Sequence, residues 1–219
     1  MTCTDFAVDD VLIAKVTDYV RDYMSHYDPS HDFHHIERVV HLAHRIHAAS
    51  STSTTAATPS SRGVVTLSAL LHDVGDRKYL RPGEDASRLV HQVLTSLGAP
   101  DALAARVQAI CLGVSYSSEA KDPARVAALV AEHPELAAVQ DADRLDAIGA
   151  VGVGRAFTFG GAKGQEMGGT MAHFEEKLVR LEGMMKTDLG RQLARERTER
   201  IRLMQEWWRQ ETEDIGRLS

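Results

Sequence analysis

Val64-Val65-Thr66-Leu67-Ser68-Ala69-Leu70-Leu71-His72-Asp73-Val74 is a strongly apolar run that closes on a histidine and an aspartate side by side. Its length fits a buried helix or a buried strand. Ala69, Leu70 and Leu71 are good helix formers and every long neighbouring segment has a helical period, so the run reads as a helix. Adjacent helical residues such as His72 and Asp73 point about 100° apart. A single cation can still take both, if an imidazole nitrogen and a carboxylate oxygen converge on it.

Upstream, residues 9–27 carry Val11, Leu12, Val16, Tyr19, Val20 and Tyr23 at a period of about 3.6. Asp28-Pro29-Ser30 ends that helix. A second helix is expected over residues 32–49, with Ile36, Val39, Val40, Ala43 and Ile46 as its apolar stripe. Five of the eleven histidines fall between His31 and His44. Residues 50–61 form a low-complexity Ser/Thr/Ala stretch, read as a mobile surface loop inside the domain.

Downstream, residues 75–83 read as a polar loop, and residues 85–97, 101–113, 124–130 and 134–155 as helical. The glycine-rich residues 159–169 are expected to form a flexible loop over or beside a site. Residues 171–185 and 189–212 are amphipathic and helical. No alternating strand and no repeat is present, so the expected architecture is a single all-α domain, a helical bundle over residues 1–219. Its core motifs occupy about residues 28–160, and its C-terminal helices about residues 171–212.

The chain has 219 residues, 43% hydrophobic and 26% charged, which is enough to bury a core and ordinary for a globular protein. A formal charge of −6 argues against binding a nucleic-acid polymer through a basic surface. Cys3 and Cys111 lie far apart without metal-type spacing, which argues against a disulfide framework or a zinc knuckle. No apolar run approaches the roughly 18–20 residues that span a bilayer, so no membrane partner is expected. The start of the chain lacks the pattern of a secretory signal, and a reducing, cytoplasmic location is expected.

Hydrolysis of phosphate esters by a divalent cation needs hard oxygen ligands, usually some imidazole, and open positions for water and substrate. Separate helices offer His35, His72-Asp73 and Asp143, a mixed donor set suited to Mn²⁺, Fe²⁺, Co²⁺, Ni²⁺ or Zn²⁺ and unusual for Ca²⁺. Asp141, two residues before Asp143 and therefore on another face, is the rival carboxylate. Asp146 lies three residues after Asp143, placed to accept from a ligand or from Arg38.

In this order, His35…His72-Asp73…Asp143 resembles the H…HD…D signature of the HD-domain metal-dependent phosphohydrolase superfamily. The flanks are similar too. His35 stands three positions before Arg38 in His31-Asp32-Phe33-His34-His35-Ile36-Glu37-Arg38-Val39, and Asp143 directly precedes Arg144-Leu145. Gly152-Val153-Gly154-Arg155-Ala156-Phe157 and His173-Phe174-Glu175-Glu176-Lys177-Leu178 resemble a bacterial and fungal subgroup of such hydrolases, so the likeness runs from about residue 28 to 200. It implies an all-helical fold, His35, His72, Asp73 and Asp143 as ligands of one divalent ion (Mn²⁺, Co²⁺, Ni²⁺, Fe²⁺, Zn²⁺ or Mg²⁺), and a small phosphorylated substrate, nucleotides foremost. Asp76 matches an acidic residue implicated in catalysis in the alarmone-hydrolysing branch, where it would take a proton from water or position it.

Other residues are placed by their own chemistry. Arg77 and Lys78 follow Asp76 and can clamp phosphate oxygens. Arg155, after a run of small residues, and Lys163, in the glycine-rich segment, are candidate phosphate contacts; His173 and Lys177 share a helix face that can reach the substrate. His31 can orient a ligand or touch substrate. His41, His44 and His47 read as a solvated stripe, and Trp207-Trp208 as a packing or homodimer contact. One departure narrows the metal reading: Cys111-Leu112-Gly113-Val114-Ser115-Tyr116 has no histidine where relatives with a second metal often carry one. A mononuclear hydrolytic site is therefore expected. The alternatives are an HD-type lyase or oxygenase with a different metal state, and a non-catalytic module that binds metal and nucleotide.

Overall fold

The apolar run folds as a helix in which every residue from Val64 to Leu71 is buried. A helix apolar on all sides is stable only when surrounded. The computed structural model describes residues 8–51, 60–76, 80 and 83–213, all-α with no strand among them. The helices are α1 (Asp10–Met24), α2 (Phe33–Ser51), α3 (Arg62–Leu71), α4 (Leu89–Ser96), α5 (Asp101–Val114), α6 (Tyr116–Lys121), α7 (Pro123–Glu132), α8 (Glu135–Asp146), α9 (Gly149–Ala162), α10 (Met167–Glu176) and α11 (Asp188–Thr212). Short 3-10 helices cover Pro29–His31 and Leu178–Met184.

Helix α3 is the centre, packed by α1, α2, α5 and α8, and α2 in turn packs along α8. The stripe of α2 supplies Ile36, Val39, Ala43 and Ile46 to this core, α8 supplies Leu136, Val139 and Leu145, and all are fully buried. Each large aliphatic side chain buried this way contributes about 1.5–3 kcal/mol. The starts of α2 and the ends of α3 and α8 are thereby brought to one point, because these three helices share the core.

Local chemistry sets the ends. Asp9 caps α1 by accepting from the Leu12 amide at 2.7 Å, and Thr187 caps α11 by accepting from the Gly190 amide at 3.0 Å. Asp28 accepts from the Ser30 amide at 3.0 Å and turns the chain into the 3-10 helix that carries His31.

Several expectations are corrected. Residues 134–155 are not one helix: Gly149, at φ +75°, takes a left-handed conformation that separates α8 from α9. The expected loop over residues 159–169 is mostly helical, since α9 runs to Ala162 and α10 starts at Met167. Gly164, at φ +69°, closes α9, with the Gln165 amide donating to Gly160 O at 2.8 Å and the Gly164 amide to Gly161 O at 3.1 Å. Residues 171–185 divide into α10 and a 3-10 helix, and α6 forms where the sequence pattern predicts no helix. The histidine stripe is not simply solvated, because His44 Nε2 meets Thr66 Oγ1 of α3 at 2.8 Å. Trp208 packs on Phe157, ring centres 6.0 Å apart, while Trp207 is exposed. The core of the Ser/Thr-rich stretch, residues 52–59, lies outside the described residues, as do Arg77 and Lys78.

Candidate metal centre

Beyond Leu71 the chain tightens: the Val74 amide donates to Leu71 O at 3.0 Å, and the Asp76 amide to Asp73 O at 3.2 Å. His72 and Asp73 thus sit past the end of α3, and their side chains converge with His72 Nε2 3.4 Å from Asp73 Oδ1. His35, from the first turn of α2, places Nε2 3.2 Å from His72 Nε2 and 3.3 Å from Asp73 Oδ2. Asp143, from the last turn of α8, places Oδ1 3.6 Å from His72 Nε2 and 3.7 Å from His35 Nε2. Neighbouring donors around one first-row cation, at metal–ligand distances of about 2.1 Å, lie about 3 Å apart. His35, His72 and Asp73 are therefore close to the edges of a single coordination shell, with Asp143 beside the two imidazoles.

Their hydrogen bonds show which atoms are on offer. His72 Nδ1 lies 2.9 Å from Ala69 O, a group that only accepts, so Nδ1 carries the proton and Nε2 turns into the cluster. His35 Nδ1 donates in the same way to Asp146 Oδ2 at 2.8 Å. Asp73 Oδ2 is buried without a hydrogen-bond partner. Two imidazole nitrogens and two carboxylates that converge with no lysine or arginine among them form a site for positive charge. Burial opposes a charged His72, yet Asp73 and Asp143 outweigh it and raise that imidazole to about 9. Burial likewise pushes the Asp73 carboxyl up, and the facing His72 and His35 rings pull it well below its ordinary value.

Asp146 organises the layer behind. It accepts from Arg38 Nε at 2.7 Å and Nη2 at 3.0 Å, and from Arg155 Nη1 at 3.0 Å, besides orienting His35. Burial works against its charge, but His35 and Arg38 hold the carboxyl far below the usual range. Asp141 faces away from the cluster. Buried on the other side of α8, it accepts from the amides of Lys186 and Thr187, both at 2.8 Å, and from Thr187 Oγ1 at 2.7 Å.

No family model matches the chain. It is 37% identical over 194 residues to the uncharacterized protein YpgQ of Bacillus subtilis, covering 84% of this chain and 85% of that protein. The crystal structure of YpgQ in complex with ADP is similar at a TM-score of 0.68 and 34% identity, over 93% of this chain and 94% of that one. An HD-superfamily hydrolase from Bacillus thuringiensis is similar at a TM-score of 0.66 and 28% identity, over 91% and 95% of the two chains. The chain belongs to the HD superfamily. No helix among its described residues is long and apolar enough to cross a membrane.

The metal-type cluster of this HD protein lines a cavity of about 540 Å³, within the range of small-molecule sites. Asp76, His31, His173 and Lys177 line the same cavity. The His31 ring stands 6.1 Å from that of His35 and 5.8 Å from that of Phe159. The Lys177 ammonium lies 5.0 Å from the centre of the Tyr116 ring. Arg155 also lines it, but its Nε donates to Ser30 O at 2.8 Å and its Nη1 to Asp146. Lys163 ends α9 with its ammonium 5.6 Å from the Phe159 ring centre, and is not among the lining residues. Sequence reasoning missed Tyr116, Gln165 and Thr170, which complete the wall. The available signal was Ser115, whose hydroxyl caps α6 by accepting from the Ser118 amide at 3.1 Å and so sets Tyr116 at the rim.

Proposed function

We propose that this HD protein is a divalent-metal-dependent phosphohydrolase acting on a small phosphorylated substrate, with nucleotides foremost. The observation that carries the reading is the convergence of buried His35 and His72 with the half-buried carboxylates of Asp73 and Asp143 on the wall of a ligand-sized cavity. Membership of the HD superfamily supports hydrolysis, and the ADP complex of YpgQ supports a nucleotide.

His35, His72 and Asp73, joined by Asp143, would hold one cation, Mn²⁺, Co²⁺, Ni²⁺, Fe²⁺, Zn²⁺ or Mg²⁺, with Asp146 fixing the orientation of His35. A cation bound there supplies Lewis acidity for transfer of a phosphoryl group to water. Asp76 is the carboxylate placed to orient that water or accept its proton. Lys177 offers positive charge, and His31 and His173 offer ring nitrogens, to phosphate oxygens, a role that the sequence also gives Arg77 and Lys78. Arg155, bonded to Asp146 and Ser30, positions the site from behind. Tyr116 and Phe159 provide aromatic wall for a base. A single metal fits the donors present, since no second group of metal-type side chains occurs among the described residues.

The test is phosphate and pyrophosphate release across a nucleotide panel with Mn²⁺, Co²⁺, Ni²⁺ and Mg²⁺, run beside Asp73→Ala. Turnover that vanishes in Asp73→Ala supports the reading. Tight nucleotide binding with no release in any metal would reassign the protein as a binding module.

A further inference from the structure

Asp146 lines a second, open cavity of about 480 Å³, bordered by α2, α8, α9 and α11. Arg38, His41 and Arg45 reach it from one face of α2, and Arg197 from α11. The carboxylates of this cavity are already engaged. Asp146 is shared by His35, Arg38 and Arg155, and Glu37 accepts from His34 Nδ1 at 2.9 Å.

The cations are not matched in the same way. Arg45 makes no hydrogen bond and no ion pair with the described residues. The Arg197 guanidinium has a single bond, from Nη1 to Leu145 O, and its aliphatic stem lies against Gly149. Burial moves Arg197 below its ordinary pKa against the pull of Asp146, and the nearby charges of Arg200 and Arg45 add to it. Arg38, which also lines the cavity, gives Nε and Nη2 to Asp146, so its Nη1 is not used by that carboxylate.

We infer that this cavity is a second anion site, taking a phosphoryl oxyanion between Arg45, Arg197 and the outer edge of Arg38. Planar guanidinium forks match phosphate oxygens in pairs, and three forks around one cavity supply more donors than its carboxylates consume. The oxyanion is either free phosphate or the phosphate end of a nucleotide. Through Arg38 the site shares a residue with Asp146 and hence with His35. It stands apart from the proposed hydrolysis, and its test needs no metal.

Inorganic phosphate and adenosine diphosphate are titrated separately into the metal-stripped full chain, following the arginine side-chain N–H signals by NMR and the heat of binding. The Arg45 and Arg197 signals should move saturably with at least one of the two. Arg45→Gln, a change at an exposed position, should weaken that binding about tenfold, the loss of one charge-assisted contact. Arg197→Gln should do the same, with folding checked by its melting curve. Equal affinity for the two ligands assigns the site to free phosphate, and tighter diphosphate binding with the same arginine dependence assigns it to a nucleotide. No saturable shift with either ligand, or wild-type affinity in both variants, overturns the inference.

Discussion

His35 Nδ1 and Asp146 Oδ2 are 2.8 Å apart, both side chains buried, and this contact ties the first turn of α2 to the last turn of α8. It fixes the tautomer that turns His35 Nε2 toward His72 and Asp73. Asp146→Asn should therefore weaken divalent-metal affinity about 10–100-fold, the usual cost of losing such an orienting carboxylate. Competition against a chelating dye reads this directly, and an unchanged affinity would detach Asp146 from the metal centre.

Two carboxylates two residues apart should separate cleanly by readout. Asp143→Ala should abolish tight metal binding with little loss of stability, because Asp143 Oδ1 faces only the cluster imidazoles. Asp141→Ala should leave metal affinity near wild type and cost about 2–4 kcal/mol, since it strands three donors at the start of α11. Urea melts and metal titrations on both variants give the comparison, and equal metal losses would contradict the geometry.

Acid should act through Glu119. It accepts from Arg144 Nη2 at 2.7 Å and from Lys186 Nζ at 2.8 Å. Burial raises its pKa, but the bonds from Lys186 and Arg144 prevail and hold it below the ordinary value. A carboxyl lowered on folding contributes stability that is complete above its unfolded pKa, about 4.3, and is lost as pH falls through the folded value. Glu119→Gln should cost roughly 2–4 kcal/mol at pH 7, because buried Arg144 loses its counter-charge. The gap to wild type should narrow as pH falls below about 4.3. A gap constant from about pH 3 to pH 7 would remove Glu119 from the acid response.

The α9–α10 contact gives a test in which two effects have opposite signs. Alanine in place of a helical glycine ordinarily favours the helix by about 1 kcal/mol. At Gly160, however, a Cβ would collide with the Thr170 hydroxyl, and Thr170 is buried and lines the main cavity. Crowding of this kind costs about 1–3 kcal/mol. Gly160→Ala should lower the melting temperature while leaving metal affinity unchanged, and a rise in melting temperature would show that α10 yields freely.

Much of the fold is legible in the chain because it rests on short-range terms. The period of α2 buries Ile36, Val39, Ala43 and Ile46, and the continuous apolarity of residues 64–71 makes α3 central. The ordered His35, His72-Asp73 and Asp143 can be read before any fold is known. What lay beyond reach depends on how helices rotate and approach. The packing of α8 against α11 turns Asp141 to the Lys186 and Thr187 amides and leaves Asp143 for the cluster. Arg155, one of the cations expected on phosphate, lines the cavity while bonded to Asp146 and Ser30. The glycines of residues 159–169 suggest a loop in isolation, yet Gly160 lets α9 lie close to Thr170 of α10. Spacing along one helix limits which residues share a face. Which face looks onto the cavity is settled only when the buried surfaces of separate helices meet, since that free energy belongs to contacts between residues far apart in the chain.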